Sequence, residues 1–166
     1  NIFRELDKIA KPNTIFISNT STLSLTKIAE VTNRKDKIMG MHFLNPVPKV
    51  PLVELVKALE TSDKTIEIIK KFAAKIGKTP VEVYEYPGFV TTRAIVPLLN
   101  EAMHILLEGL ATAKDIDTAM KLGYNFNTGP LEMADTMGLD EVLAWMETLW
   151  NTLGEPRYRP CPLIRK

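Results

Sequence analysis

The sequence predicts an α/β half followed by an all-α half, with the change of character at Tyr86-Pro87-Gly88. Two patterns carry that reading. Up to Tyr84, short apolar runs bounded by turn formers alternate with segments of helical period, as when helices cover a sheet that is at least partly parallel. Beyond Gly88 no strand-like run recurs, and a 3.6-residue apolar period takes over. The expected domains are therefore residues 1–87 and 88–166. At 166 residues, 45% hydrophobic and 25% charged, the chain can bury one large core or two small ones.

In order, Ile2, Phe3, Leu6, Ile9 and Ala10 predict a helix that stops at Lys11-Pro12-Asn13. Thr14 to Ser18 reads as a buried strand, Ser18 to Ser21 as a polar loop, and Leu23 to Val31 as a helix. Lys37 to Phe43 and Leu52 to Val56 follow as strands. Thr65 to Ile76 has Ile66, Ile69, Phe72, Ala73 and Ile76 on one face, and Gly77 stands where a left-handed cap belongs. Val81 to Tyr84 alternates as a last strand. In the second half Ile95, Leu98, Leu99, Ala102, Leu106 and Leu110 form an apolar stripe opposite Asn100, Glu101, His104 and Glu108, with a kink expected at Pro97. Thr112 and Asp115 are spaced as a capping pair before a helix ending at Leu122-Gly123. Pro130 suits a first helical position. The helix from Leu139 carries a wide stripe, Leu139, Val142, Leu143, Met146, Trp150 and Leu153, which serves either an internal core or a contact between copies.

Composition excludes several partners. Lys and Arg number 21 against 20 acidic residues, a balance that gives no electrostatic case for nucleic acid or an anionic membrane. No apolar run approaches the roughly 18 residues of a spanning helix. The single cysteine, Cys161, cannot close an internal disulfide, and a cytoplasmic setting is the expectation. No metal site is expected. The first residue is Asn1 and a helix is already under way, so the chain is expected to begin inside a domain; the Pro-rich basic tail from Arg157 to Lys166 is expected to end without a closing element.

Chemistry concentrates in Gly40 to Pro48, GMHFLNPVP, where a histidine stands near the end of an apolar strand and a proline-stiffened loop follows. In open α/β sheets ligands bind beyond the carboxyl ends of strands, so His42, Asn45 and the loop after Ser18 would face one crevice. Glu54, in the next strand, could reach His42. A carboxylate on one ring nitrogen fixes the tautomer and leaves the other nitrogen as a base, which suits oxidation of an alcohol. Each residue also has a plain structural use. Backbone groups readily satisfy a lone histidine, Glu54 could be a solvated edge residue, and spacing alone favours Ser21 as a helix cap.

The segments SNTSTLSLTKIA, GMHFLNPVPKVPLVELV, PGFVTTRAIVPLLNEA, DIDTAMKLG and GPLEMAD, in that order, resemble the 3-hydroxyacyl-CoA dehydrogenase family, which includes 3-hydroxybutyryl-CoA dehydrogenases. The resemblance implies a partial Rossmann-type NAD-binding domain, then a helical domain like that of 6-phosphogluconate dehydrogenase that mediates homodimerisation, with the active site in the cleft between them. It implies NAD as cofactor and an acyl-CoA as substrate. Carried onto this sequence, His42 is the catalytic base, Glu54 its paired carboxylate and Ser21 the hydroxyl on the substrate's 3-oxygen; Asn45 and Asn19 belong to the cofactor's side. Thr92 stands where the family has an asparagine that polarises the substrate carbonyl. Pro51, and Phe126-Asn127 before Gly129-Pro130, depart from the pattern too.

None of the eight glycines forms Gly-x-Gly-x-x-Gly, so the phosphate-binding turn of a dinucleotide site is not in these residues. The sequence taken alone is accordingly expected to be inactive, part of an enzyme that oxidises a 3-hydroxyacyl-CoA. The alternatives are a dehydrogenase of a free hydroxy acid, such as gulonate or carnitine, and a non-catalytic dimerisation or binding module of the same fold.

Overall fold

The computed structural model describes residues 2–21 and 23–165. The chain forms two compact units, Asn1–Phe89 and Val90–Lys166. In the first, α1 (Ile2–Ile9), β1 (Phe16–Ser18), α2 (Leu25–Ala29), β2 (Ile38–Phe43), β3 (Leu52–Lys57), α3 (Asp63–Lys75) and β4 (Thr79–Tyr84) follow one another. The four strands lie in the order β1-β2-β3-β4. Pairing is parallel for β1 with β2 and for β3 with β4, and antiparallel for β2 with β3. The sheet is thus mixed, with a helix at each parallel crossover.

Strand alternation sorts the two faces. Met39, Met41, Val53 and Leu55 point to one side and are buried with Ile66, Ile69 and Ala73 of α3. Gly40 and His42 of β2, and Glu54 and Val56 of β3, are offset by one residue and belong to the other side, where Leu25, Val56, Ala58, Val83 and Phe89 form a second cluster. Gly40 makes room for that packing: a Cβ there would lie 2.9 Å from Leu25 Cδ1 and 3.0 Å from Val56 Cβ.

Several expectations are corrected in this unit. Phe72 and Ile76 were assigned to the apolar face of α3 but remain nearly half exposed, because the sheet covers only the stripe of Ile66, Ile69 and Ala73. The helix expected over Leu23 to Val31 is a short one, Leu25–Ala29, because Ser24 rather than Ser21 takes the cap and accepts from Lys27 N at 3.2 Å. Gly77 behaves as expected, with φ 76°; its N–H and that of Lys78 close on the carbonyls of Ala74 and Ala73. Arg34, which no sequence signal picked out, is buried and pairs with Asp7 while its guanidinium donates to the carbonyls of Asp7, Ala10, Lys11 and Thr14. It thereby satisfies the carbonyl end of α1.

The second unit is helical throughout its described residues: α4 (Thr91–Leu107), α5 (Ala113–Tyr124), α6 (Pro130–Met137) and α7 (Leu139–Leu153), then 3-10 turns at Pro156–Tyr158 and Pro162–Arg165. Pro97 lies inside α4. Asn100, expected on the polar face, is buried, since its amide donates to Arg159 O at 2.9 Å and accepts from Cys161 N at 2.8 Å. The tail therefore does have a closing element: Tyr158 and Cys161 are buried in the same core as Leu99, Met103 and Met146. Leu110, placed on the apolar stripe, lies beyond the helix and is exposed. Thr112 caps α5 as expected, accepting from Asp115 N at 3.2 Å and donating to its carboxylate at 2.7 Å. That helix runs past Gly123 to Tyr124, and Asn125, with φ 60°, supplies the left-handed turn. Pro130 opens α6, whose N-terminal amides of Leu131 and Glu132 donate to Asp117 of α5 at 2.8 and 3.0 Å. Much of the α7 stripe is spent internally: Val142 and Met146 are buried and Trp150 and Leu153 pack on the core, whereas Leu139 is exposed.

Asp117→Ala should lower the unit's stability by about 0.5–2 kcal/mol, the usual cost of a lost N-cap, read from urea midpoints. In the first unit the backbone N–H of Asn33, and then the Arg34 side chain, hold the Asp7 carboxyl below its ordinary range. A carboxyl whose folded-state pKa is lowered stabilises the fold above its unfolded pKa, and that contribution disappears as pH falls through the folded value. The wild type should therefore exceed Asp7→Asn in denaturation midpoint at neutral pH, with the gap closing in acid below about pH 4.

Candidate active site

The candidate site is built on the face of the sheet that carries α2. In the β2–β3 hairpin His42 and Glu54 are direct cross-strand partners, so sheet register alone brings their side chains to the same face. Both are buried, to 4% and 1% exposure. A carboxylate taken this far from water needs a charged or hydrogen-bonding partner, and Glu54 Oε2 lies 2.7 Å from His42 Nδ1. With the Nδ1 proton directed at Glu54, Nε2 carries the lone pair. The Ser21 hydroxyl, 3.0 Å from Nε2, donates to it.

Ser21 sits in the loop between β1 and α2. Within it Thr20 N donates to Ser18 Oγ and Leu23 N to Thr20 Oγ1 at 2.7 Å. Asn19 Oδ1 accepts from Phe43 N at 3.0 Å, so this loop is bonded to the strand that bears His42. Asn45 is exposed, two residues beyond the end of β2. Thr92 is buried in the first turn of α4, in the second unit. The structure thus brings Ser21, His42 and Glu54 into one hydrogen-bonded row, with Asn19 attached to it through Phe43.

Phe89 belongs beside them and escaped the sequence reading. Its ring meets the imidazole edge-on, centroids 5.3 Å apart and planes at 62°. It is buried, and its φ of 48° is a left-handed value that a bulky residue adopts only when its surroundings impose it. The available signal was Pro87-Gly88 ahead of it, which marks a sharp change of chain direction.

Chemically, the row Ser21–His42–Glu54 can exchange a proton at Nε2 with an alcohol, or it can activate the serine oxygen itself. Residues 1–86 match the family described as "3-hydroxyacyl-CoA dehydrogenase, NAD binding domain", and residues 88–166 match "3-hydroxyacyl-CoA dehydrogenase, C-terminal domain". A probable 3-hydroxybutyryl-CoA dehydrogenase of Bacillus subtilis is 50% identical over 99% of the chain and 58% of its own length. The human mitochondrial hydroxyacyl-coenzyme A dehydrogenase is 43% identical over 99% of the chain and 53% of its own length. The chain spans a little over half the length of these curated relatives. Among solved structures, the (S)-3-hydroxybutyryl-CoA dehydrogenase of Ralstonia eutropha superposes with a TM-score of 0.94 at 48% identity, covering 99% of this chain and 58% of that one.

The buried pair makes an energetic prediction. His42→Leu leaves the Glu54 carboxylate without the ring and should cost about 3–5 kcal/mol, whereas the double variant His42→Leu/Glu54→Leu should recover most of that loss. Urea unfolding of the single and double variants measures the coupling, and simple additivity would contradict it.

With a Rossmann-like NAD-binding part, a helical C-terminal part and both family descriptions matched end to end, the chain belongs to the 3-hydroxyacyl-CoA dehydrogenase family.

Proposed function

We propose that these residues carry the proton-transfer site of an NAD-dependent enzyme that oxidises an L-3-hydroxyacyl-CoA, such as 3-hydroxybutyryl-CoA, to the 3-ketoacyl-CoA. The observation that carries this reading is the buried row in which Glu54 holds Nδ1 of His42 and Ser21 marks Nε2 as the open, basic edge. NAD, when bound, would supply the acceptor for the hydride that leaves C3, while the proton of the 3-hydroxyl goes to the ring. Everything else falls to the chain.

His42 Nε2 takes the proton of the 3-hydroxyl, and Glu54 stabilises the imidazolium that results. The Ser21 hydroxyl, already aimed at Nε2, orients the 3-oxygen on that edge. In the reverse direction the imidazolium returns its proton to the oxygen of the ketone as hydride arrives at carbon. Phe89 covers one side of the imidazole and limits water there. Thr92 offers a hydroxyl where the family has an asparagine. Loss of a donor aimed at developing charge costs about 2.7–4 kcal/mol where nothing replaces it, so Thr92 sets the turnover more than the fold.

The fit to NAD is partial within these residues. Asn45 and the Asn19–Ser21 loop are polar groups around the carboxyl ends of β2 and β1, where the reacting end of a dinucleotide is met in α/β sheets. The phosphates need a glycine-rich turn at a helix N-terminus, and these 166 residues contain no Gly-x-Gly-x-x-Gly. The site as proposed also includes a homodimer formed through the helical unit, supported by the exposed Leu110, Leu122 and Tyr124. No helix of the described residues is long and apolar enough to cross a membrane, and we propose a cytoplasmic location.

A graft tests the assignment. These residues replace the matching segment of the Bacillus subtilis relative, and oxidation of 3-hydroxybutyryl-CoA is followed by NADH absorbance. The graft should turn over, and His42→Gln should lose on the order of a hundredfold or more in kcat. Activity that survives Ser21→Ala at a reduced level supports an orienting hydroxyl over a nucleophile. Wild-type rates in His42→Gln would refute the assignment, and Thr92→Asn should raise kcat.

A further inference from the structure

We infer that Asn19 is a positioning residue: its side chain ties the serine loop to the histidine strand and so fixes the Ser21 hydroxyl on the Nε2 edge of His42. Only the consequence for turnover rests on the dehydrogenase reading. The geometry is independent of it.

The argument begins with a ladder that stops short. β1 has three residues, and its parallel pairing with β2 runs from Phe16 opposite Ile38 to Ser18 opposite Gly40. β2 continues for three more residues, to Phe43. Over those residues the β1 chain has turned away into the loop, while the backbone amide of Phe43 still needs an acceptor. The acceptor is Asn19 Oδ1, at 3.0 Å, so a side chain takes the place of the backbone carbonyl that a longer β1 would have offered.

That bond closes a ring of groups. From Asn19 the chain runs through Thr20 to Ser21, whose Oγ lies 3.0 Å from His42 Nε2; from His42 one peptide unit leads to Phe43, whose N–H returns to Asn19. Two contacts, one on the imidazole and one on the residue after it, hold the loop and the strand end in register. Thr20 bonds to Ser18 and Leu23 shape the loop from within, but those partners lie on the β1–α2 segment itself. Asparagine suits the task because its amide oxygen accepts strongly while remaining neutral, whereas an aspartate would add a negative charge to the loop. Because Oδ1 is engaged with Phe43, any contact Asn19 makes with a cofactor would use Nδ2.

The test reads the ring directly, on the ¹⁵N-labelled chain without any cofactor. His104, the second histidine, serves as the internal reference. In Asn19→Ala, the Nε2 resonance of His42 should move toward that of an imidazole nitrogen without a hydroxyl donor. The Phe43 amide should exchange roughly fivefold faster, as for one lost hydrogen bond of about 1 kcal/mol. Asn19→Asp keeps an acceptor and should restore slow exchange at Phe43. An Nε2 resonance in Asn19→Ala identical to wild type, in a chain whose other amide signals are unchanged, overturns the proposal. In the grafted enzyme, positioning predicts a fall in kcat with KM for NAD unchanged; a raised KM for NAD with an unaltered ring signal would instead make Asn19 a cofactor contact. If the graft is inactive with His42 intact, the dehydrogenase reading fails while the resonance result still decides the role of Asn19.

Discussion

A carboxylate buried to about one per cent exposure, Glu54, sets the terms for the first unit. Its position is dictated by hairpin register, because a residue directly opposite His42 shares its face of the sheet. Its burial is tolerable because the ring nitrogen lies at hydrogen-bonding distance. The same contact decides the tautomer, and the tautomer decides that Nε2 is the basic edge. Register, burial and basicity are thus three consequences of one pairing.

The surroundings keep that edge defined. Gly40 lets Leu25 of α2 lie close against the sheet, which brings the start of α2 and the loop before it near the end of β2. Ser24 caps the helix and leaves Ser21 free to serve the imidazole. Phe89 closes over the ring from the last residue of the unit, in a backbone conformation that costs on the order of 1–2 kcal/mol for a non-glycine residue. Strain of that size next to the imidazole is sustained by the packing around it.

In the second unit the governing need is satisfaction of backbone groups at helix ends. Asp117 receives the first amides of α6 from a neighbouring helix, and Asn100 bonds both a carbonyl and an amide of the tail from inside α4. Neither residue announces itself locally. Asn100 falls on what the helical period marks as the polar side, and Asp117 lies mid-helix, thirteen residues before Pro130. Both act across the unit, where periodicity has no reach.

Fold class was legible in the chain because periods of 2 and 3.6 residues are local: they follow from backbone geometry and from which side chains avoid water. The helix caps at Thr112 and Gly77 and the helix start at Pro130 were legible for the same reason. His42 and Glu54 were visible as candidates, since a histidine at a strand end and a charge within Leu52–Val56 stand out against apolar neighbours. Which serine caps α2, where α5 stops, how the tail folds back and what packs on the imidazole were settled only by tertiary structure. Those outcomes depend on contacts between residues far apart in sequence, and their energies exist only once the chain has closed on itself.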